Sequence, residues 1–285
     1  MTAPALLFHL SDIHFGLEDN RALDWVRDEI VRLRPSAVAI TGDLTMRARS
    51  REFEAARAWI MSLEAPVTVE VGNHDMPYFN PFARLFAPYA KFRGMESVVE
   101  REIDLPGVAI VPLKTAARAQ PRLNWSKGWV SGAALRKCLA AIDALPEGVQ
   151  ALVTAHHPLR EVGTQGTALT RGGNRALAEL ARRDVLAVLS GHVHDAFDLV
   201  EQTDNGPVRM IGAGTLSKRT RSTPPSFNEL RWDGARLAVT VRNLEQVPTP
   251  AMQIDDVPEN ALPPRAPGEP VAPVGQVPRT DPPVH

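Results

Sequence analysis

Residues 5–14 read ALLFHLSDIH: a short apolar run interrupted by His9, then Ser11, Asp12, Ile13 and His14. A run this short, bounded by polar residues and not alternating with them, reads as a strand buried on both faces. The same figure returns along the chain. Ala37–Thr41 runs into Gly42-Asp43, and Val67–Val71 into Gly72-Asn73-His74-Asp75. Ala151–Ala155 runs into His156-His157, and Val185–Ser190 into Gly191-His192-Val193-His194. Val108–Leu113 is a further buried strand, without such a tail. Helical spacing of apolar residues fills the gaps at Ala22–Leu33, Arg51–Leu63, Gly132–Leu145 and Asn174–Arg183, with Ser50 and Ser131 as N-cap candidates. Later, Val208–Ile211, Phe227–Trp232 and Leu237–Val241 alternate, and Asp233-Gly234 marks a hairpin turn. The order predicts an α/β fold with an antiparallel finish. Ligands of open α/β sheets bind beyond the carboxyl ends of the strands, so five loops are expected to converge on one rim.

Seven of the side chains at those ends are Asp12, His14, Asp43, Asn73, His156, His192 and His194. This nitrogen and oxygen donor set, without thiolate, suits Mn, Fe, Zn, Co or Ni better than Ca or Mg. So many donors exceed the needs of one ion and suit two sharing a carboxylate. Such a pair, about 3.5–4 Å apart, clamps the attacking and leaving oxygens of a phosphoryl displacement and ionises a bound water. In Asp12-x-His14 and His192-x-His194, extended backbone would send both side chains to the same side. Gly42, Gly72 and Gly191 leave room for close approach of the loops. Asp75, next to His74, is expected to orient it.

The remaining composition sets bounds. The chain has 285 residues, of which 44% are hydrophobic, ample for a sizeable core. Its single cysteine, Cys138, excludes a disulfide scaffold and a Cys-rich zinc site within the chain, and its helical neighbours make it a core residue. Residues 246–285 hold 11 of the 25 prolines and no Phe, Trp or Tyr, so they are read as a disordered tail with polyproline character and no assigned partner. Residues 1–245 form the catalytic domain, with 30 basic against 28 acidic side chains. That balance argues against nucleic acid and membrane as partners. No basic segment precedes the apolar run at residues 5–10, which is too short for a signal-peptide core, so the expected location is the cytoplasm. A homodimer is compatible with the sequence.

The segments Ser-Asp12-Ile-His14, Thr-Gly-Asp43-Leu, Gly-Asn73-His74-Asp75, Ala-His156-His157-Pro and Ser-Gly-His192-Val-His194 together resemble the calcineurin-like metallophosphoesterase superfamily. The resemblance implies a four-layer α-β-β-α sandwich with mixed sheets. It implies that Asp12, His14 and His194 hold one ion, that Asn73, His156 and His192 hold a second, and that Asp43 bridges them. It places His74, with Asp75, in catalysis, and Asn73 and His74 against the phosphate. His157 shapes the site. Leu44-Thr45-Met46 after Asp43, and Asp75 ending the third motif, depart from the Ser/Thr protein phosphatases. The pattern looks most like the bacterial class III cyclic-nucleotide phosphodiesterases and their glycerophosphodiester relatives. The implied activity is hydrolysis of cyclic nucleotides or other small phosphodiesters. The alternatives are a DNA nuclease of the same superfamily and a non-catalytic scaffold, the latter disfavoured because every ligand position is filled.

Other features are read more plainly. Arg47, Arg49, Arg51 and Arg57 read as a solvated helix face, with Arg47 the candidate for substrate contact. Tyr78, Phe79, Phe82, Phe86 and Tyr89 read as packing against the sheet, with stacking on a nucleobase as the alternative. Asn124-Trp125-Ser126 reads as a lid loop, His9 as structural and His285 as without a role.

Overall fold

Ten strands and six helices are present in the computed structural model, which describes residues 5–77, 79–120 and 124–245. The proline-rich tail, Tyr78 and His285 lie outside the described residues. Strands β1 (Ala5–Leu10), β2 (Ala37–Ile40), β3 (Val67–Val69), β9 (Ser226–Trp232) and β10 (Leu237–Asn243) form one sheet in the order β10-β9-β1-β2-β3. Strands β4 (Val108–Pro112), β5 (Gln150–Thr154), β6 (Ala187–Ser190), β7 (Phe197–Thr203) and β8 (Gly206–Gly212) form the other, in the order β4-β5-β6-β8-β7. Both are mixed: β1-β2-β3 and β4-β5-β6-β8 run parallel, while β9, β10 and β7 join antiparallel.

The sheets face each other, and the apolar residues alternate accordingly. Ala5 and Leu7 of β1, with Ala37 and Ala39 of β2, meet Leu152, Ala187, Leu189 and Ile211 of the other sheet. The intervening residues Leu6, Phe8 and Leu10 point outward under α1 (Asn20–Leu33) and α2 (Ser50–Met61). On the far side, α5 (Gly132–Asp143) and α6 (Gly173–Ala181) cover Val111, Val153 and Val188. Each central strand is therefore buried on both faces, which is why its sequence is continuously apolar. The result is the four-layer α-β-β-α sandwich. The five ligand loops leave two facing sheets, three loops from one and two from the other. The single rim expected above is thus a pair of rims.

Three elements escape the sequence reading. β7 is an edge strand whose exposed positions carry Asp198, Val200 and Gln202, so it lacks a buried run. The helices α3 (Pro81–Phe86) and α4 (Ala90–Val99) are short, and Gly94 interrupts the second. One cap is also corrected. Ser131 does cap α5, accepting from the Ala134 amide at 3.1 Å, but Ser50 is already helical. The α2 cap is Arg49, whose amide donates to the Glu52 carboxylate at 3.2 Å.

Glu70 follows β3 and accepts a hydrogen bond from Thr154 Oγ1 of the facing sheet at 2.8 Å. Burial raises its pKa to about 8, with the Thr154 bond and Lys114 opposing. A carboxyl raised above its unfolded value contributes stability that is complete at low pH and is lost as pH rises toward 8. Glu70→Gln is therefore expected to gain stability over the native chain progressively from pH 5 to 8. The gain, after discounting for partial exposure, is on the order of 2 kcal/mol at pH 8. Urea unfolding at several pH values measures it.

Candidate metal centre

The parallel strands bring the loops together in register. Beyond the end of β1, the amides of Asp12 and His14 donate to the carbonyls of Gly42 and Asp43 at 3.1 and 2.9 Å. On the other sheet the Gly191 amide donates to the His156 carbonyl at 2.9 Å. Two close approaches require glycine: a Cβ on Gly72 would lie 2.1 Å from Asp43 Oδ1, and one on Gly191 would lie 1.7 Å from Ser11 Oγ.

The side chains do not converge through extended backbone as expected. Asp12, His14, Asp43, His192 and His194 have φ of 53°, 50°, 51°, 69° and 62°. These are left-handed conformations, costing roughly 1–3 kcal/mol each for non-glycine residues. They account for five of the nine non-glycine residues with positive φ among the described residues. A left-handed turn at each ligand, instead of strand alternation, folds both members of Asp12-x-His14 and His192-x-His194 inward.

The donor atoms then form two neighbouring groups. His194 Nε2 lies 3.1 Å from Asp12 Oδ1 and 3.2 Å from His14 Nε2, and His14 Nε2 is 3.6 Å from Asp12 Oδ1. His156 Nε2 lies 3.1 Å from Asn73 Oδ1 and 3.3 Å from Asp43 Oδ2. The His192 ring stands 5.2 Å from that of His156, centroid to centroid. Asp43 Oδ2 is also 3.8 Å from His14 Nε2, so one carboxylate oxygen faces both groups, while Asp43 Oδ1 accepts from the His74 amide at 2.8 Å. Asp12 divides in the same way. Its Oδ2 accepts from Ser11 Oγ and the His192 amide, both at 2.7 Å, and its Oδ1 has no hydrogen-bond donor among the described residues.

The tautomers show that these atoms fit cations. His156 Nδ1–H donates to the Thr41 carbonyl at 2.7 Å, and His194 Nδ1–H to the Arg219 carbonyl at 2.8 Å. In the neutral rings, each Nε2 therefore turns a lone pair toward carboxylate, amide or imidazole acceptors. Buried acceptors facing one another repel unless a positive charge sits between them. Against burial, the Asp43 carboxylate raises the His156 pKa to about 9, and Asp12 raises that of His194. Burial and the neighbouring His156 instead lower His192 to about 3. Asp12 and Asp43 are held ionised, despite burial, by the surrounding histidines. Borderline divalent ions match this donor set, and the outward nitrogens of His156 and His194 already bond to carbonyls that orient the rings.

His157 is excluded as a ligand. Its Nε2–H donates to the Ser126 carbonyl at 2.8 Å, and its Nδ1 accepts from Thr115 Oγ1 at 3.0 Å. His9 is structural, between Thr41 Oγ1 at 3.0 Å and Asn228 Nδ2 at 3.2 Å. Cys138 is buried in the α5 core.

Asp75 is corrected. Its carboxylate does not meet the His74 ring. It accepts from the amides of Thr45 (2.8 Å), Gly72 (2.9 Å) and Leu44 (3.2 Å), and so clamps the two loops that carry Asp43 and Asn73. The His74 ring is oriented by its Nδ1–H, which donates to the Met46 carbonyl at 2.7 Å. Arg47 is exposed, with its guanidinium 5.7 Å from the Phe79 ring centroid. Beside His74 opens a cavity of about 680 Å³ lined by Asn73, His74, Pro81, Arg84, Asn124, Trp125 and Ser126, so the Asn124–Ser126 loop is a wall of the site.

Sequence reasoning missed Arg219. It lies on the loop between β8 and β9, and its Nη1 is 3.3 Å from both His14 Nε2 and His74 Nε2. Thr215 of the same loop donates to the Asp12 carbonyl at 2.7 Å. The available signal was Gly212-Ala-Gly-Thr215 at a strand end followed by Lys218-Arg219.

Comparison with known proteins agrees with this geometry. The family model for calcineurin-like phosphoesterases matches residues 6–196. A glycerophosphodiester phosphodiesterase, GpdQ, of Enterobacter lignolyticus is 31% identical over 81 residues, covering 25% of this chain and 29% of that protein. The match thus spans under a third of the relative's length. A dimetal phosphatase from Danio rerio superposes with a TM-score of 0.62 at 15% identity, over 84% of this chain and 96% of that one. A purple acid phosphatase from yellow lupin seeds gives 0.61 at 12% identity, over 85% and 52%. These two likenesses show the shared fold. With the family model spanning most of residues 5–245, the chain belongs to the calcineurin-like phosphoesterase family, and its paired donor groups are placed to hold metal ions.

Proposed function

We propose that the enzyme hydrolyses small phosphodiesters, cyclic nucleotides or glycerophosphodiesters among them. The observation that carries this reading is the cavity beside His74, which leaves room for a leaving alcohol next to the paired donor groups. The partial likeness to a glycerophosphodiester phosphodiesterase supports it. Two divalent ions, drawn from Mn, Fe, Zn, Co or Ni, supply Lewis-acid charge and an ionised water when bound. Asp12, His14 and His194 would hold one; Asn73, His156 and His192 would hold the other; Asp43 would serve both. As the imidazolium, with its Nδ1–H fixed on the Met46 carbonyl, His74 would give its Nε2 proton to the departing alkoxide and be left neutral. Asp75 keeps the Asp43 and Asn73 loops at their spacing. Arg219 Nη1 donates to a phosphoryl oxygen placed between His14 and His74.

Arg219→Met is expected to keep its metal content but lose roughly 10–100-fold in kcat/KM and bind inorganic phosphate correspondingly more weakly. Metal analysis and phosphate inhibition check both parts. The substrate reading is tested by a panel at fixed Mn²⁺ comparing cyclic nucleotides, glycerophosphodiesters, phosphomonoesters and DNA. Faster turnover of small diesters than of monoesters and DNA is expected; preference for monoesters or DNA would overturn it.

A further inference from the structure

The helix α3 is inside out. Phe82, Leu85 and Phe86 fall at i, i+3 and i+4, the spacing of one helical face, and that face is turned to solvent with exposures of 74%, 49% and 77%. The charged residue between them, Arg84, is turned inward and is only 7% exposed. Phe79 and Trp125, 66% and 40% exposed, extend the apolar area toward the cavity beside His74. Three of the nine phenylalanines thus face solvent within eight residues, where packing against the sheet was expected. An exposed apolar patch of large side chains at the mouth of a site marks a surface made to be covered.

The charge around it is one-sided. Residues 79–95 carry Arg84, Lys91 and Arg93 and no acid, and residues 105–120 and 124–130 carry Lys114, Arg118 and Lys127 and no acid. The near-neutral body conceals this bias. On the other flank of α3 a second cavity, of about 650 Å³, is lined by Phe86, Tyr89, Arg93, Lys114, Arg118 and Ser131. Lys114 Nζ lies 4.2 Å from the Tyr89 ring centroid, and the carboxyls of Glu70 and Glu96 both lie near enough to act on its charge.

We propose that the α3 face docks on an anionic lipid surface, with Phe82, Leu85 and Phe86 entering the interface and the exposed Arg93 and Arg118 meeting lipid phosphates. The His74 cavity then opens beside phosphodiesters presented at that surface, a consequence that rests on the phosphodiesterase reading. A second copy is a poorer occupant. A two-fold contact would bring the acid-free segments of both copies together, cation against cation. Single-stranded nucleic acid is poorer too, because stacking platforms present aromatic planes along a groove, and Leu85 offers none. The expectation that membranes are not partners rested on net charge. No helix among the described residues is long and apolar enough to cross a membrane, and surface docking needs none.

The test is co-sedimentation of the full chain with vesicles of phosphatidylcholine, with and without phosphatidylglycerol. Binding is expected only with the anionic lipid and should weaken with salt. Phe82→Asp with Phe86→Asp, both on solvent-facing positions, should weaken binding roughly tenfold or more. Arg93→Glu with Arg118→Glu should weaken it similarly while leaving the apolar face intact. Hydrolysis of soluble bis(p-nitrophenyl) phosphate should be unchanged in the Phe82→Asp, Phe86→Asp chain. Equal binding by native and substituted chains would overturn the proposal. So would a dimer that the aspartates disperse without any vesicle binding, or salt-sensitive binding of an oligonucleotide in its place. If the native chain does not hydrolyse the soluble diester, the phosphodiesterase reading fails and the sedimentation result still decides docking.

Discussion

Asp43→Asn is expected to lower phosphodiester hydrolysis by on the order of 10³-fold or more, and to reduce bound metal at both positions together. Asp43 Oδ2 faces both donor groups, 3.3 Å from His156 Nε2 and 3.8 Å from His14 Nε2. The asparagine keeps the shape and, through its carbonyl, the bond from the His74 amide, but removes the shared charge. Asn73→Ala should by contrast weaken one position and spare the other. Metal content measured by inductively coupled plasma mass spectrometry separates the two outcomes. Loss of one ion with full retention of the other in Asp43→Asn would show that the carboxylate is not shared.

His74→Ala has the second-largest expected effect, a fall of roughly 10²–10⁴-fold in kcat at unchanged metal content. Its Nδ1–H is committed to the Met46 carbonyl, and its Nε2 faces the site beside Arg219. A proton carried there matters most when the leaving group is a poor one. The loss should therefore be larger for a glycerophosphodiester, which expels an alkoxide, than for bis(p-nitrophenyl) phosphate, which expels a stable phenolate. Equal losses on both substrates would assign His74 to phosphate positioning alone.

Much of this architecture was legible in residues 5–14 and their echoes. A strand buried on both faces has to be apolar throughout, and a loop that ends it at the site has to carry donors. Those two constraints mark the five loops, and the family resemblance picks Asp12, His14, Asp43, Asn73, His156, His192 and His194 from them. The grouping of five loops onto two facing sheets was less legible, because a strand inside a sandwich and one inside a single covered sheet look alike. The way Asp12 and His14 converge was misread for a local reason: nothing in their side chains announces φ near +50°. Asp75 was misassigned because adjacency in sequence says nothing of direction, and its carboxylate turns to the backbone of Thr45 and Gly72. Arg219 stayed hidden because a lone arginine in a turn has no periodicity. The aromatic run after His74 was read as core on hydrophobicity alone, and α3 turned its phenylalanines outward.

The central claim is that this chain holds two ions in one shared cluster. The direct measurement is a Mn²⁺ titration of the chelator-treated enzyme, following bound metal and hydrolysis of bis(p-nitrophenyl) phosphate together. Two ions bound per chain, no hydrolysis in the metal-free protein, and activity that rises as the second site fills are expected. Full activity in the metal-free chain, or saturation at one ion, would contradict it.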